Sequence, residues 1–98
     1  MKLEYHRLVR AELAQAFDWY EDHRAGLGSE FLDIFEAALP VLLKRPRSFG
    51  LWGRSHRVRR MKLPGFPYDV LFCILSGRIR ILCVRHHRRH PSFGMNRW

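Results

Sequence analysis

The stretch that decides the fold is FPYDVLFCILSGRIRILCVRHH, residues 66–87. Two apolar runs flank the dipeptide Ser76-Gly77, which is typical of a two-residue turn between antiparallel strands. Residues at equal distances in sequence from such a turn lie opposite each other. Cys73 therefore lies opposite Arg80, and Val70 lies opposite Cys83. The sequence therefore predicts a β-hairpin with this register.

The register divides the hairpin side chains between two faces of the sheet. One face is entirely apolar and should lie against helices; it holds Val70, Phe72, Ile74, Ile79, Ile81 and Cys83. The other face holds Leu71, Cys73, Leu75, Arg78, Arg80, Leu82 and Val84. Because this second face is apolar in the middle and basic at its edge, we expect it to be partly exposed or covered by a partner. The two cysteines then point to opposite faces, which argues against a disulfide between them.

A first helix is predicted from Ala11 to about Arg24. Its apolar side chains recur at helical spacing and are Leu13, Ala16, Phe17 and Tyr20. Trp19 falls off this stripe, so we interpret it as a candidate contact with a partner or a second copy. The tetrapeptide AGLG then breaks the helix, since Gly26 and Gly28 accept the positive φ of a turn.

A second helix, SEFLDIFEAALPVLLKRP, follows the glycines. Ser29 is its predicted N-cap, and Glu30 and Asp33 lie favourably in its first turns. Pro40 removes a backbone donor inside the helix, so the helix should kink or restart there. Pro46 should end it.

The remaining segments complete the predicted topology. Residues 2–9, KLEYHRLV, alternate loosely and predict a first strand; residues 47–55 predict a loop, and residues 56–63, HRVRRMKL, predict a basic strand. The order β-α-α-β-β-β predicts an α+β fold in which a two-helix layer packs on a small, mainly antiparallel sheet. A chain of 98 residues fits one domain spanning residues 1–98.

The charge is distributed unevenly along the chain. Residues 1–36 hold four Lys or Arg and eight Asp or Glu, a net charge of −4, whereas residues 37–98 hold fourteen basic residues against Asp69 alone, a net of +13. Such a field recruits polyanions or acidic protein segments. No stretch approaches the roughly 20 apolar residues of a membrane span, and the N-terminus lacks the apolar core of a signal peptide. We therefore expect a cytoplasmic protein without a membrane partner.

The stretch VRHHRRHPSFGMNR, residues 84–97, is rich in histidine and arginine. His86 and His90 are four residues apart, which brings two metal ligands together on a helix but not at the end of a strand, and the local arginines repel a divalent cation. We therefore expect neither a metal nor a cofactor. Proton transfer by histidine and phosphate binding by arginine stay open. So does a structural role, in which His86 continues the strand and residues 91–98 pack as a tail.

Several of these segments together resemble the RelE/ParE superfamily of bacterial toxins, the plasmid-stabilisation type. They are GLGSEF at the second helix, a basic strand ending in RRMKL, GFPYDVLF before the hairpin, and VRHHRRHPSFGMNR at the end. The resemblance covers nearly the whole chain. It implies the toxin of a type II toxin-antitoxin module, which a cognate antitoxin wraps and neutralises.

The resemblance implies two alternative activities. RelE-like toxins cut mRNA in the ribosomal A site, and ParE-like toxins poison DNA gyrase. Arg60 and Lys62 match basic positions of the RelE-like second strand, but Asp69 stands where such an enzyme has a phosphate-stabilising arginine, and Phe93 stands where it has a catalytic tyrosine. The favoured hypothesis is a non-enzymatic toxin that binds gyrase. The alternatives are a ribosome-dependent mRNA endoribonuclease and a non-toxic binding module derived from a toxin.

Candidate site residues follow from these hypotheses. For the nuclease alternative they are Arg60, Lys62, His86, His87, Arg88, Arg89 and His90. For binding they are Arg57, Arg59, Arg60, Lys62, Arg78, Arg80, Arg85 and Arg97. On the basic strand we expect the acidic antitoxin segment to dock, by adding a strand or helix to exposed apolar area. The competing interpretation is a solvated edge strand that its charges protect from aggregation.

Overall fold

A computed structural model describes residues 1–97 of the chain. Its elements are β1 (Lys2–Tyr5), α1 (Val9–His23), α2 (Leu27–Lys44), a 3-10 helix (Pro46–Ser48), β2 (Val58–Lys62), β3 (Tyr68–Leu75) and β4 (Arg78–His86). Within these residues the two helices pack on one face of a four-stranded sheet of order β1-β4-β3-β2. The β1–β4 pair is parallel and the other two pairs are antiparallel. The predicted α+β fold, with two helices on a mainly antiparallel sheet, is confirmed.

The first strand is shorter than predicted. It ends at Tyr5, and Val9 already begins α1 and is buried in the helix-side core. The Leu8 carbonyl accepts the first helical hydrogen bond, from the Glu12 amide at 3.1 Å. Helical spacing of the apolar residues after Tyr5 therefore prevails over the loose alternation that predicted a strand through residue 9.

The second helix begins before Ser29, so the predicted N-cap is wrong. Gly26, with φ of 89°, precedes Leu27, and Ser29 lies inside the helix. The Glu21 carboxylate of α1 accepts hydrogen bonds from the amides of Gly26 (3.1 Å), Gly28 (2.8 Å) and Ser29 (3.3 Å). The backbone bond from Gly26, followed by those from the other two amides, lowers the pKa of Glu21. A side chain of the preceding helix thus replaces the local cap.

Two residues inside α2 differ from their predicted roles. Gly28 does not adopt a positive φ; a Cβ there would lie 2.6 Å from the Phe17 carbonyl oxygen, so the glycine allows α1 and α2 to approach closely. Pro40 does not restart the helix, which continues to Lys44. Both Pro40 and Glu36, whose carbonyl loses its helical donor, are exposed, so water can hydrate that carbonyl.

The hairpin keeps the predicted register only near its turn. Leu75 pairs with Arg78, and the pairing continues as predicted to Phe72 opposite Ile81. The next pair is Leu71 with Cys83, which leaves Leu82 as an extra residue in a β-bulge. The predicted pairing of Val70 with Cys83 is therefore wrong.

Side chains from elsewhere in the chain hold this bulge. Glu12 of α1 accepts a 2.9 Å hydrogen bond from the Val84 amide, and Arg97 donates to the Leu82 carbonyl at 3.3 Å. Arg97 and Glu12 also form an ion pair of 2.6 Å. Backbone groups that the ladder no longer pairs are thus satisfied by an internal ion pair.

The bulge moves Cys83 to the face of the sheet opposite the helices. The second core there consists of Val58, Leu71, Cys73, Leu82 and Cys83, with Trp52, Leu75, Phe93 and Met95 packed against them. Both cysteines therefore share one face, contrary to the prediction, and both are buried free thiols. Burial raises the pKa of Cys83 to about 12.

The chain itself covers this second face, which the sequence predicted to be partly exposed or covered by a partner. Trp52 and residues 93–95 supply the cover, and Gly94, with φ of 77°, lies so close that a Cβ would overlap the Cys83 Sγ. The residues before Trp98 thus pack as the predicted C-terminal tail; Trp98 lies outside the described residues. No helix within residues 1–97 is long and apolar enough to cross a bilayer.

Candidate functional site

A buried carboxylate organises the cations at the open end of the β3–β4 hairpin. Asp69 is 0% exposed. Its Oδ2 accepts a 2.9 Å hydrogen bond from Arg85, which is itself buried, and its Oδ1 lies 2.9 Å from His87 Nε2. Arg60 Nη1 lies 3.9 Å from Oδ2. The buried carboxylate of Asp69 is therefore engaged by basic side chains of the chain itself.

Trp52 completes this group of residues. The guanidinium groups of Arg60 and Arg85 lie 4.7 and 4.9 Å from the centre of its ring, and its Nε1 donates to the Pro91 carbonyl at 2.8 Å. Such cation-π contacts stabilise desolvated cations. We call Trp52, Arg60, Asp69, Arg85 and His87 the Asp69 cluster. Trp52 is not among the predicted site residues, because a single tryptophan in a loop carries no periodic signal.

The histidines of residues 86–90 each contact a group of the fold. His86 Nδ1 accepts the Arg88 amide at 3.0 Å and its ring packs edge-on against Tyr68. Burial, followed by the charge of Arg88 and its neighbours, lowers the pKa of His86. His90 Nδ1 accepts the Ser92 amide at 3.1 Å. With His87 on Asp69, all three rings have a contact within the fold.

Most of the predicted binding arginines also form contacts within the fold. Arg78 and Arg80 both lie within 3.1 Å of Glu4 on β1; partial burial opposes ionisation of Glu4, but these two guanidinium groups outweigh it and lower its pKa. Arg59 donates to the Phe49 carbonyl at 2.6 Å. Arg85 is bound to Asp69 and Arg97 to Glu12, as described above. Residues of the predicted sets that are exposed are Arg57, Lys62, His87, Arg88, Arg89 and His90.

The edge of β2 is not open to a partner strand. The Trp52 amide donates to the Val58 carbonyl at 2.8 Å, and the Arg60 amide donates to the Gly50 carbonyl at 3.1 Å. Leu51 forms an isolated bridge with Arg59 between these two bonds. Residues 50–52 already pair with Val58–Arg60, so a partner strand cannot add to that part of the edge; docking of the antitoxin segment there as a helix stays a prediction.

A cleft of about 720 Å³ lies between α1 and the open end of the hairpin. Its walls include four aromatic side chains, which are Trp19, Tyr20, Tyr68 and Phe93. Four basic residues also line it, namely His86, His87, Arg88 and Arg89. The one carboxylate in its described lining, Glu12, is neutralised by Arg97.

Two tyrosine hydroxyl groups in the walls of the cleft are available to bind a ligand. Burial raises the pKa of both Tyr20 and Tyr68, and neither hydroxyl has a hydrogen-bond partner within residues 1–97. Trp19 is 56% exposed at the cleft and stacks on His23 with ring centres 3.8 Å apart. Two sequence signals pointed to this cleft, namely the off-stripe position of Trp19 and the histidine- and arginine-rich stretch of residues 84–97.

Comparisons with known proteins identify the fold. No protein-family model and no curated protein matches the sequence. Among solved structures, a chain of "Chromosomal ParDE TA system from P. aeruginosa" superposes with a TM-score of 0.77 at 19% sequence identity. The match covers 88% of this chain and 95% of that chain. The chain therefore shares its fold with a component of a ParDE toxin-antitoxin system.

Proposed function

We propose that the chain is the toxin of a type II toxin-antitoxin module, of the ParE-like class that inhibits DNA gyrase without catalysing a reaction. The observation that carries this choice is the buried Asp69, which engages Arg60 and His87, two residues of the nuclease set. The likeness in fold to a chain of a ParDE system supports the same class. The resemblance in sequence motifs points to the same superfamily.

The Asp69 cluster weakens the ribonuclease alternative on energetic grounds. Cleavage of RNA requires cations on the phosphate and groups that transfer protons. Separating Arg85 from Asp69 would leave a buried guanidinium group unpaired, and breaking such a pair costs about 3–5 kcal/mol. Phe93, at the position of the catalytic tyrosine, transfers no proton, and Arg89 and Arg97 each lie 4.9 Å from its ring centre.

The cleft beside α1 is the surface we assign to the antitoxin. Its aromatic walls offer apolar area and its exposed Arg88 and Arg89 offer charge, so an acidic segment with an apolar anchor complements it. The edge of β2, by contrast, is already paired. A short acidic open reading frame should therefore adjoin the gene of this chain.

Expression without antitoxin tests the proposed toxicity and its target. Growth should stop, gyrase-linked DNA breaks should accumulate, and mRNA should stay intact. His90→Ala, which changes an exposed member of the nuclease set, should arrest growth as the parent chain does. New mRNA ends at A-site codons that decrease with His90→Ala would contradict the proposal. Continued growth would instead favour the non-toxic binding module.

Titration with the acidic antitoxin segment tests the cleft. Each exposed ion pair contributes about 0.2–1 kcal/mol, so Arg88→Gln combined with Arg89→Gln should weaken binding about two- to thirtyfold. Arg7→Gln combined with Arg10→Gln removes the same charge from exposed residues outside the cleft lining and should change the affinity less than twofold. Equal losses in the two variants by isothermal titration calorimetry would place the segment elsewhere.

A further inference from the structure

The segment between α2 and β2 wraps around one edge of the sheet. Phe49 packs against Phe72, with ring centres 5.9 Å apart, in the helix-side core, whereas Trp52 belongs to the core on the opposite face. The chain therefore crosses the edge beside β2 between Phe49 and Trp52. The hydrogen bond from Arg59 to the Phe49 carbonyl, together with the pairing of residues 50–52 along β2, fixes this crossing.

Basic side chains flank the crossing on both sides. We call Lys44, Arg45, Arg47 and Arg54 the basic edge; all four are exposed. Within residues 1–97 none of them forms an ion pair. The last acid of α2, Glu36, precedes Lys44 by eight residues, about 12 Å along the helix. The basic edge therefore carries positive charge that no nearby acid of α2 compensates.

Several other arginines of residues 37–97 have carboxylate partners, whereas the basic edge has none within the described residues. Arg78, Arg80, Arg85 and Arg97 are paired with carboxylates of the fold. The basic edge instead flanks residues 50–52, whose backbone is paired to β2, so a rigid element lies between its two parts. Exposed Lys and Arg on a rigid support are what the sugar-phosphate backbone of nucleic acid requires.

The apolar content of this surface argues against a protein partner. None of the four residues lines the cleft beside α1. Leu51 and Val41, which lies one helical turn before Lys44, are the large apolar side chains near the basic edge that are strongly exposed. Protein interfaces depend on a desolvated centre with aromatic or aliphatic anchors, which two separate aliphatic side chains do not supply. Phosphate binding needs no such centre.

We propose that the basic edge binds the phosphates of duplex DNA, without selecting a base sequence. Such binding goes beyond the proposed function, because inhibition of gyrase through protein contacts alone would not require it. It also holds whether or not gyrase is the target. Each of the four cations can neutralise one phosphate and release one condensed counterion.

Salt dependence of DNA binding measures these contacts directly. The purified chain is titrated against a fluorescent duplex of about 20 base pairs by anisotropy, between about 50 and 200 mM KCl. Each contact contributes about 0.9 to the slope of log K against log salt, so four contacts predict an affinity loss of about 150-fold over this range. In the variant that combines Arg45→Gln, Arg47→Gln and Arg54→Gln, the one remaining contact predicts a loss of only about three- to fourfold.

A matched variant separates the location of charge from its amount. Arg7→Gln, Arg10→Gln and Arg24→Gln together remove the same charge from exposed positions of the acidic N-terminal part, and they should keep the steep salt dependence. Circular dichroism confirms that both variants are folded. Equal flattening in the two variants, or no binding of the parent chain to the duplex at the lowest salt, would overturn the proposal. Since the assay contains no gyrase, its outcome is independent of the test of toxicity.

Discussion

Removal of the Asp69 carboxylate should destabilise the fold more than a loss of hydrogen bonds alone would. In Asp69→Ala, Arg85 keeps its charge at a site where its side chain is only 5% exposed. Breaking a buried pair by removing one partner costs about 3–5 kcal/mol. Total stabilities of domains are about 5–15 kcal/mol, so the variant should lose a large share of its stability.

The surroundings of Arg85 place the expected loss near the lower end of that range. Its Nη1 still donates to the Arg89 carbonyl at 2.9 Å, and the Trp52 ring still lies against its guanidinium group. We therefore expect a loss of about 3 kcal/mol for Asp69→Ala. Asp69→Asn keeps an acceptor for Arg85 but loses the charge, so it should cost about 1.5–3 kcal/mol.

Urea unfolding followed by circular dichroism at neutral pH measures these free energies. The slope m should stay constant, since the surface exposed on unfolding does not change. Asp33→Ala removes an exposed carboxylate and should stay within about 0.5 kcal/mol of the parent chain. Asp69→Leu combined with Arg85→Met removes both charges and should be more stable than Asp69→Ala. A loss below about 1 kcal/mol for Asp69→Ala would refute the claim that the carboxylate compensates a buried cation.

Three further predictions concern the helix junction, the tail and the thiols. Glu21→Gln should lower Tm at neutral pH: the folded-state pKa of Glu21 is lowered, so its stabilisation is present above the ordinary value of 4.5 and is lost as pH falls through the folded-state value. Thermal scans across pH should show the two Tm values converging in acid, and a constant gap would contradict this role. Gly94→Ala forces a side chain to φ of 77° against Cys83 and should cost at least about 1–2 kcal/mol in urea unfolding, whereas Gly50→Ala, with no atom within 4 Å of its Cβ, should be nearly neutral. Because burial raises the pKa of Cys83 to about 12, its thiol should react with iodoacetamide at pH 8 only after unfolding, and mass spectrometry showing rapid native labelling would disprove that burial.

Elements whose sequence pattern is local and periodic were predicted correctly. The stripe of α1 and the turn at Gly77 predicted the helix and the hairpin, because helical spacing and a glycine with positive φ are properties of neighbouring residues. The start of α2 was predicted wrongly, since its cap comes from Glu21, five to eight residues before the amides that it binds. No local motif records a cap supplied by the preceding helix.

The candidate site was harder to predict than the fold. The sequence singled out Arg60, Asp69 and Arg85, but as separate charges on three strands. Only the paired strands bring them together, and only the loop places Trp52 between the two arginines. The cleft beside α1 likewise joins Trp19 to residues 67–68 and 84–93, which lie far away in sequence.

The sequence by itself determined the α+β class, the order of the elements and the uneven charge, since these follow from periodicity and composition. The tertiary structure decided the face on which Cys83 lies, because one extra residue at the Leu82 bulge reverses the alternation of side chains beyond it. The tertiary structure also decided which basic side chains have no carboxylate partner in the fold and are available to a binding partner. A charge is a property of a residue, but its availability depends on whether folding brings a carboxylate within hydrogen-bonding distance, as Asp69 is brought to Arg85.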